Sequence, residues 1–184
     1  MCGIFGYLGH QQALPLLVEG LRRLEYRGYD STGIAVEHEG TITTHKTVGK
    51  VADLKSVLPS TVEGTLGIAH TRWATHGGVT QVNTHPHASD NGKVHLVHNG
   101  IIENFQQLRK GLEARGITCV SETDSEVIAQ MIALALDKGA SPLKAVQSTL
   151  RRLRGTWGLC ILFKDHDMLI CARTVSYTHL TLPT

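Results

Sequence analysis

The chain begins with the stretch that decides its fold, Met1-Cys2-Gly3-Ile4-Phe5-Gly6-Tyr7-Leu8-Gly9. Apolar residues punctuated by glycines predict a strand that another backbone or a ligand approaches closely. Removal of Met1 would make Cys2 the N-terminal residue, so that one residue carries both a thiol nucleophile and a free α-amine. The unperturbed pKa values are about 8.5 for the thiol and about 8 for the amine, and the amine can therefore act as the base for the thiol. The stretch predicts a self-contained nucleophile and base at the start of a strand.

Length and composition describe an ordinary globular domain. The 184 residues are 41% hydrophobic and 18% charged, with a formal net charge of +2, and a chain of this size can bury one core. No stretch approaches the ~20 apolar residues of a membrane span, and the start lacks a signal-peptide pattern. Lysines and arginines are scattered, which argues against nucleic-acid binding. We expect a cytoplasmic protein with four free thiols and with neither a membrane nor a nucleic acid as partner.

Hydrophobic periodicity predicts strands and helices in mixed clusters. The predicted strands after the first are 34–37, 41–46, 65–69, 94–98, 157–163 and 168–172, and the predicted helices are 13–24, 51–58, 103–115 and two more that start after Thr123 and Ser141. Regular strand–helix–strand alternation is absent, which favours an α+β domain of mainly antiparallel sheets covered by helices. Thr123-Asp124-Ser125-Glu126 has the capping-box pattern, which places Asp124 in the first turn of its helix.

Three further segments contain the residue types that a cysteine amidohydrolase needs. Arg72 follows an apolar strand and offers a planar fork for a carboxylate, although a surface salt bridge is the alternative. Asn99-Gly100 is predicted at a strand end, where an amide and a backbone N–H form an oxyanion hole; a type I′ hairpin turn is the alternative. Asp124 is favoured by the helix dipole and could also bind a substrate ammonium.

Histidines are concentrated in one region of the chain. They are His70, His76, His85, His87, His95 and His98. No pair has the His-x-x-x-His spacing of helical zinc sites. We therefore expect buried structural histidines and no metal, with a metal-binding protein as the alternative.

Together these segments resemble the N-terminal glutaminase domain of the class II glutamine amidotransferases, which are N-terminal nucleophile hydrolases. The resemblance is carried by residues 2–6, 20–31, 70–77, 83–87, 98–104 and 121–126. Within the family, Tyr26-Arg27-Gly28-Tyr29-Asp30 favours the branch that forms amino sugars. Amidophosphoribosyltransferases typically read His-Arg-Gly-Gln-Asp there, and asparagine synthetases carry a proline.

The resemblance implies a fold and a reaction. The fold is a four-layer αββα sandwich of two mainly antiparallel sheets, spanning residues 1–174. The reaction is attack of Cys2 on the side-chain amide of L-glutamine through a γ-glutamyl thioester. Asn99 and the Gly100 N–H would hold the oxyanion, and Arg27 would order the surroundings of the nucleophile.

The resemblance also implies how glutamine is bound. Arg72 would take the α-carboxylate with support from Thr75 and His76, while Asp124 would take the α-ammonium. Trp73 resembles the family's gate between the glutamine pocket and the ammonia passage. No cofactor and no metal are implied.

Further domains and partners are implied beyond residue 174. In this branch two sugar-phosphate isomerase domains bind fructose 6-phosphate and receive the ammonia, and we expect the chain to stop before them. The parent would be a homodimer that makes glucosamine 6-phosphate, while the fragment alone would be a glutaminase. Residues 175–184 fit neither periodicity and resemble a translated sequencing adapter, so we predict a non-native tail. A non-catalytic amino-acid-binding module is the alternative function.

Overall fold

The computed structural model describes residues 2–74 and 77–174. The strands are β1 (Gly3–Leu8), β2 (Ser31–His38), β3 (Thr41–Val48), β4 (Leu66–Arg72), β5 (His87–Ala88), β6 (Val94–Ile102), β7 (Gly155–Phe163) and β8 (Leu169–Arg173). The helices are α1 (Ala13–Leu24), α2 (Val51–Val57), α3 (Phe105–Glu113), α4 (Glu126–Asp137) and α5 (Pro142–Leu150). In this part of the chain no helix combines the length and apolarity that crossing a membrane requires.

Among the described residues the strands form two four-stranded antiparallel sheets. The first sheet has the order β1-β4-β2-β3 and the second has the order β5-β6-β7-β8. The predicted hairpin across Glu39-Gly40 joins β2 to β3, and both residues of its turn have positive φ. The first strand pairs with β4 from Gly3 opposite Thr71 to Leu8 opposite Leu66. The start of β1 therefore lies beside the end of β4.

Side-chain alternation builds four layers. One face of each sheet contributes to an apolar cluster between the sheets, made of Ala35, Leu66, Ile68, Val97, Cys160 and Leu162. The opposite face of the first sheet packs on α1 and α2, and that of the second sheet packs on α3, α4 and α5. The predicted αββα sandwich is confirmed.

The same alternation determines where polar side chains enter the interior. Ile68 of β4 and Val97 of β6 point between the sheets, and successive residues of a strand point to opposite faces. Two residues further along each strand, His70 and Asn99 therefore also face the space between the sheets. The apolar cluster gives way to polar residues at the end of the sandwich where β1 begins.

Two local predictions are wrong. Asn99 and Gly100 are predicted at a strand end, but they lie inside β6, opposite Gly158 and Trp157 of β7. Their partner strand comes from about 60 residues later in the chain, where the neighbouring sequence gives no sign of it. The capping box does not form either: α4 begins at Glu126, and its N-cap residue Ser125 makes no capping hydrogen bond.

The supposed cap residues have other partners. Thr123 Oγ1 contacts His87 Nε2 at 3.0 Å, and the Glu126 carboxylate accepts the N–H groups of Val120 and Ser121 at 2.9 and 2.6 Å. Asp124 consequently lies before the helix rather than in its first turn. A tertiary contact of Thr123 and loop contacts of Glu126 have replaced the capping pattern.

We expect Ile68→Ala to lower the free energy of unfolding by about 2–5 kcal/mol, because it leaves a cavity between the two sheets. Ile68 is 0% exposed. Val57→Ala is the matched control, since Val57 of α2 is 53% exposed and truncation there should change stability by less than about 0.5 kcal/mol. Denaturant unfolding of both variants measures the difference. Equal losses would contradict the assignment of Ile68 to the core.

Candidate active site

Cys2 immediately precedes β1 and is held by the backbone that follows β4 and by a side chain of β6. The Trp73 N–H donates to the Cys2 Sγ at 3.1 Å, and the same sulfur lies 3.4 Å from the Trp73 carbonyl oxygen. From the second sheet, Asn99 Nδ2 donates to the Cys2 carbonyl at 3.0 Å. The next N–H, that of Gly3, donates to Thr71 Oγ1 at 3.1 Å. The thiol is therefore fixed where the end of β4 and the middle of β6 meet.

Opposing influences act on the Cys2 thiol. Burial is the largest and raises its pKa, while the hydrogen bond from the Trp73 N–H counteracts the rise. The nearby Asp30 carboxylate raises the pKa further, and the Arg72 guanidinium lowers it. Because the net effect favours the neutral thiol, nucleophilic attack from this position needs a base.

Asn99 connects the two sheets through its side-chain amide. The Cys2 carbonyl can only accept a hydrogen bond, so it faces the amide NH₂, and the amide oxygen faces His70 Nε2 at 2.9 Å. Burial lowers the pKa of His70 to about 4, and the neutral ring must therefore donate its Nε2–H to that oxygen. His70 fixes the orientation of Asn99, and the amide NH₂ points toward the thiol-bearing residue.

Gly100 adopts a conformation that a side chain would prevent. Its φ is 139°, and a Cβ at this position would lie 2.1 Å from the Thr156 carbonyl oxygen. The backbone of β6 can therefore approach β7 this closely only with glycine at position 100.

Arg72 ends β4 and is buried. Its Nη1 donates to the Gly78 carbonyl at 3.2 Å. The Gly78 N–H donates to Glu122 Oε2 at 3.1 Å, and Asn83 Nδ2 donates to the same oxygen at 2.8 Å. Arg72 is thereby linked through the following loop to Glu122, two residues before Asp124.

Arg27 adjoins the site because the next residue, Gly28, packs against the backbone of Arg72. Residues Glu25–Arg27 form a 3₁₀ turn after α1, and a Cβ on Gly28 would lie 2.8 Å from the Arg72 carbonyl oxygen. The turn therefore packs directly against the backbone that holds Cys2.

Trp73 is half exposed, and its ring meets Tyr29 edge-on with centroids 5.6 Å apart.

Asp124 is buried beside the end of β6. Its Oδ2 accepts the Ile102 N–H at 2.7 Å, and its Oδ1 accepts Ser125 Oγ at 3.2 Å. Ser125 Oγ also contacts His98 Nδ1 at 2.8 Å. The carboxylate is therefore attached to the strand that carries Asn99 and Gly100.

Hydrogen bonds and close packing join most of the predicted residues. Cys2, Arg72, Trp73, Asn99 and Gly100 lie around the junction of β1, β4 and β6, while Arg27 and Asp124 adjoin it through Gly28 and Ile102. Thr75 and His76 lie outside the described residues, as do Met1 and residues 175–184.

The sequence does not predict that His70 and Asp30 adjoin Cys2 and Asn99. The one available signal is the position of His70 two residues before Arg72, which puts both on one face of β4. Asp30 accepts a hydrogen bond from the Ala74 N–H and one from Ser31 Oγ at 3.0 Å. Only the fold brings it beside Cys2.

Three buried histidines form a cluster next to the site, with tilted and edge-on rings. The ring centroids of His70 and His85 are 4.3 Å apart, and those of His85 and His87 are 4.5 Å apart. Burial lowers the pKa of His85 and of His87 well below the usual value, and lowers that of His95 to about 4. In the described ranges, no group of three or more His, Cys, Asp or Glu side chains is arranged to hold a metal ion.

We expect the free energy of unfolding to fall as the pH drops from about 6.5 toward 4. In the unfolded chain the imidazoles bind protons below about pH 6.5, whereas His95 resists protonation in the fold until about pH 4. Acid therefore favours the unfolded state. His95→Leu removes one such group. Between pH 7 and pH 4.5 the free energy of unfolding should therefore fall by about 2 kcal/mol less in this variant than in the parent chain. Denaturant titrations across this range test it, and parallel stability curves would contradict it.

Comparison with known proteins identifies the family. Residues 70–177 match the family model described as "Glutamine amidotransferase domain". The chain belongs to this family and is a glutamine amidotransferase domain. The match begins at His70 and includes Arg72, Asn99, Gly100 and Asp124.

Curated relatives are longer proteins of one kind. "Glutamine--fructose-6-phosphate aminotransferase [isomerizing]" of Chlamydia trachomatis is 47% identical over 94% of this chain and 28% of its own length. The protein of the same name from Corynebacterium glutamicum is 50% identical over 94% of this chain and 29% of its own length. The chain thus spans less than a third of these relatives.

Solved structures with the same fold belong to related enzymes. The glutamine phosphoribosylpyrophosphate amidotransferase of B. subtilis, complexed with ADP and GMP, superposes with a TM-score of 0.80 at 28% identity, over 94% of this chain and 37% of its own. A structure described as the allosteric regulatory enzyme of purine biosynthesis gives a TM-score of 0.77 at 30% identity, over 88% of this chain and 35% of its own.

Proposed function

We propose that this domain hydrolyses the side-chain amide of glutamine through Cys2, as the ammonia-releasing part of a glutamine–fructose-6-phosphate aminotransferase. The observation that carries the proposal is the placement of the Cys2 sulfur against the Trp73 N–H, with the oriented Asn99 amide on the adjoining carbonyl. Nucleophile and oxyanion donor are thereby neighbours at the end of the sandwich. Membership of the glutamine amidotransferase family supports the same reaction.

The reaction begins once Met1 has been removed. The α-amine of Cys2 takes the thiol proton, and the sulfur attacks the glutamine Cδ to give a tetrahedral oxyanion. The amine then delivers the proton to the departing nitrogen, which leaves as ammonia and produces a γ-glutamyl thioester. Water adds to the thioester carbon, and the thiol leaves with the return of a proton, releasing glutamate. The raised pKa of the Cys2 thiol is the reason why the amine is needed as a base.

The oxyanion is held by Asn99 and Gly100. The amide NH₂ of Asn99 has one hydrogen on the Cys2 carbonyl and a second one to offer the substrate. Successive N–H groups of a strand point to opposite edges, so residues two apart point to the same edge. The Ile102 N–H donates to Asp124. The Gly100 N–H, two residues earlier, is therefore directed to the same edge of β6 as Asp124. His70 acts as a positioning residue, because it prevents the Asn99 amide from rotating.

Glutamine is bound at its two charged ends. Arg72 takes the α-carboxylate bidentately, with Thr75 and His76 in support, and Asp124 takes the α-ammonium. Both groups are buried, so their charges act with little screening. Trp73 gates the passage of ammonia, and Arg27 orders the backbone around Cys2.

The parent protein extends this activity to a sugar phosphate. By analogy with the named relatives, ammonia passes to fructose 6-phosphate on isomerase domains that follow residue 174, giving glucosamine 6-phosphate in a cytoplasmic homodimer. The non-native origin of residues 175–184 stays a prediction. The genomic sequence downstream of Arg173 tests both statements together.

We expect Cys2→Ala to abolish ammonia release from glutamine while leaving the fold intact, because it removes the only group that forms the thioester. Coupled detection of glutamate and ammonia measures the rate, and Cys119→Ala is the matched control, with activity unchanged. A mass spectrum of the active chain should show that Met1 is absent. Equal turnover by the Cys2 variant would refute the proposal, and glutamine binding by the parent chain without a thioester would indicate an amino-acid-binding module.

We expect Asn99→Ala to reduce kcat by about 10²–10³-fold with little change in KM, because one oxyanion donor is lost in the transition state. Asn91→Ala is the control: Asn91 precedes the opposite end of β6 and bonds Asp137 at 3.0 Å on the surface. Steady-state kinetics of glutamine hydrolysis measure both. An increase of KM alone would place Asn99 in ground-state binding instead.

A further inference from the structure

A second pair of thiols lies in the second sheet and takes no part in the proposed glutaminase reaction. Cys160 of β7 and Cys171 of β8 are directly opposite each other in the antiparallel register. Their Sγ atoms are 3.6 Å apart and in hydrogen-bond contact. Both cysteines are free thiols.

The register puts this pair where cross-strand side chains are closest. The Thr174 N–H donates to the Trp157 carbonyl at 2.8 Å, which marks that pair as hydrogen-bonded. Hydrogen-bonded and non-hydrogen-bonded pairs alternate along an antiparallel ladder, and Cys160 opposite Cys171 falls on a non-hydrogen-bonded position. Such positions have Cα atoms about 4.5 Å apart, inside the range of about 4.4–6.8 Å that a disulfide spans.

The two thiols differ in access and acidity. Cys171 is exposed on the edge strand, whereas Cys160 is buried in the cluster between the sheets. When Cys171 ionises, the Cys160 thiol donates to it, which lowers the pKa of Cys171 to about 7. The same hydrogen bond keeps the proton on Cys160, and together with burial and the charge of Cys171 it raises the pKa of Cys160 well above the usual value. Cys171 is therefore the attacking thiolate at neutral pH.

The Cys160 sulfur has too little free space around it to carry a bulky adduct. A Cβ placed on Gly6 of β1 would lie 2.8 Å from the Cys160 sulfur. Cys160 therefore faces backbone on one side and the Cys171 sulfur on the other. A small disulfide can reach Cys171 only.

We propose that Cys160 and Cys171 form an oxidative modification site, which closes to a disulfide between β7 and β8 when a small disulfide such as oxidised glutathione is the oxidant. The Cys171 thiolate attacks one sulfur of the oxidant, forming a mixed disulfide and releasing one glutathione thiolate. The Cys160 sulfur then attacks Cys171 Sγ and releases the second glutathione. Two protein thiols are oxidised, one oxidant disulfide is reduced, and the protons of both cysteines end on the two glutathione thiols.

The test uses the full chain with Cys2→Ala and Cys119→Ser, which leaves only this pair of thiols. After incubation with oxidised glutathione, the intact mass should fall by two hydrogen atoms with no glutathione attached. Peptide mapping without reductant should recover residues 160 and 171 cross-linked. A stable glutathione adduct on Cys171, or two unchanged thiols at an oxidant concentration that modifies the Cys160→Ser variant, would overturn the proposal.

Single variants separate the two steps. Cys160→Ser should stop at the mixed disulfide on Cys171, and Cys171→Ser should stay unmodified because Cys160 is buried. Alkylation of Cys171 by iodoacetamide at pH 7 should be roughly threefold slower in Cys160→Ala, because the pKa of Cys171 returns toward about 8.5 and the smaller thiolate fraction outweighs the higher nucleophilicity of that thiolate. Alanine is used for this comparison because a serine hydroxyl could still donate a hydrogen bond to Cys171. An unchanged alkylation rate would show that the sulfurs do not interact.

Discussion

The bridge that the Asn99 side chain makes between the two sheets is the interaction on which the site depends. From β6 of the second sheet, its amide bonds both the Cys2 carbonyl, just before the edge strand β1, and His70 of β4 in the first sheet. The bridge exists only because six apolar side chains hold the sheets together at the correct separation. A shift of one sheet against the other would therefore move Cys2, the proposed nucleophile, relative to Asn99, the proposed oxyanion donor.

Much of the architecture was predictable because periodicity is a local property. α1 runs from Ala13 to Leu24 as predicted, β6 contains the predicted segment and continues further, and β4 begins one residue later than predicted and ends three residues later. Most of the errors concern residues whose partners are distant in sequence. Asn99 and Gly100 find their strand partner in residues 157 and 158, and Thr123 bonds His87. Glu126 bonds the backbone of the loop just before the helix instead of capping it. The local sequence pattern does not show which of two competing hydrogen-bond partners a residue will take.

The residue types of the site could be found from sequence, but their orientation could not. Arg72 and Asn99 have chemistries that suggest a carboxylate fork and an oxyanion donor. That Asn99 presents its NH₂ to the Cys2 carbonyl and its oxygen to His70 depends on which groups the fold brings against the amide, and the pKa of about 4 for His70 results chiefly from burial, with His98 and Arg72 lowering it further. Electrostatics of this kind arise from the packed interior, and no spacing in the sequence encodes them.

The chain of polar contacts from Arg72 through Gly78 to Glu122 has a mechanical consequence. Glu122 is also bonded by Asn83 at both its carboxylate and its backbone N–H, and it stands two residues from Asp124. Arg72 and Asp124, which we propose bind the two charged ends of glutamine, are thus joined by one chain of contacts rather than held by two independent parts of the fold. The spacing between the two side chains is therefore set by this single chain of contacts.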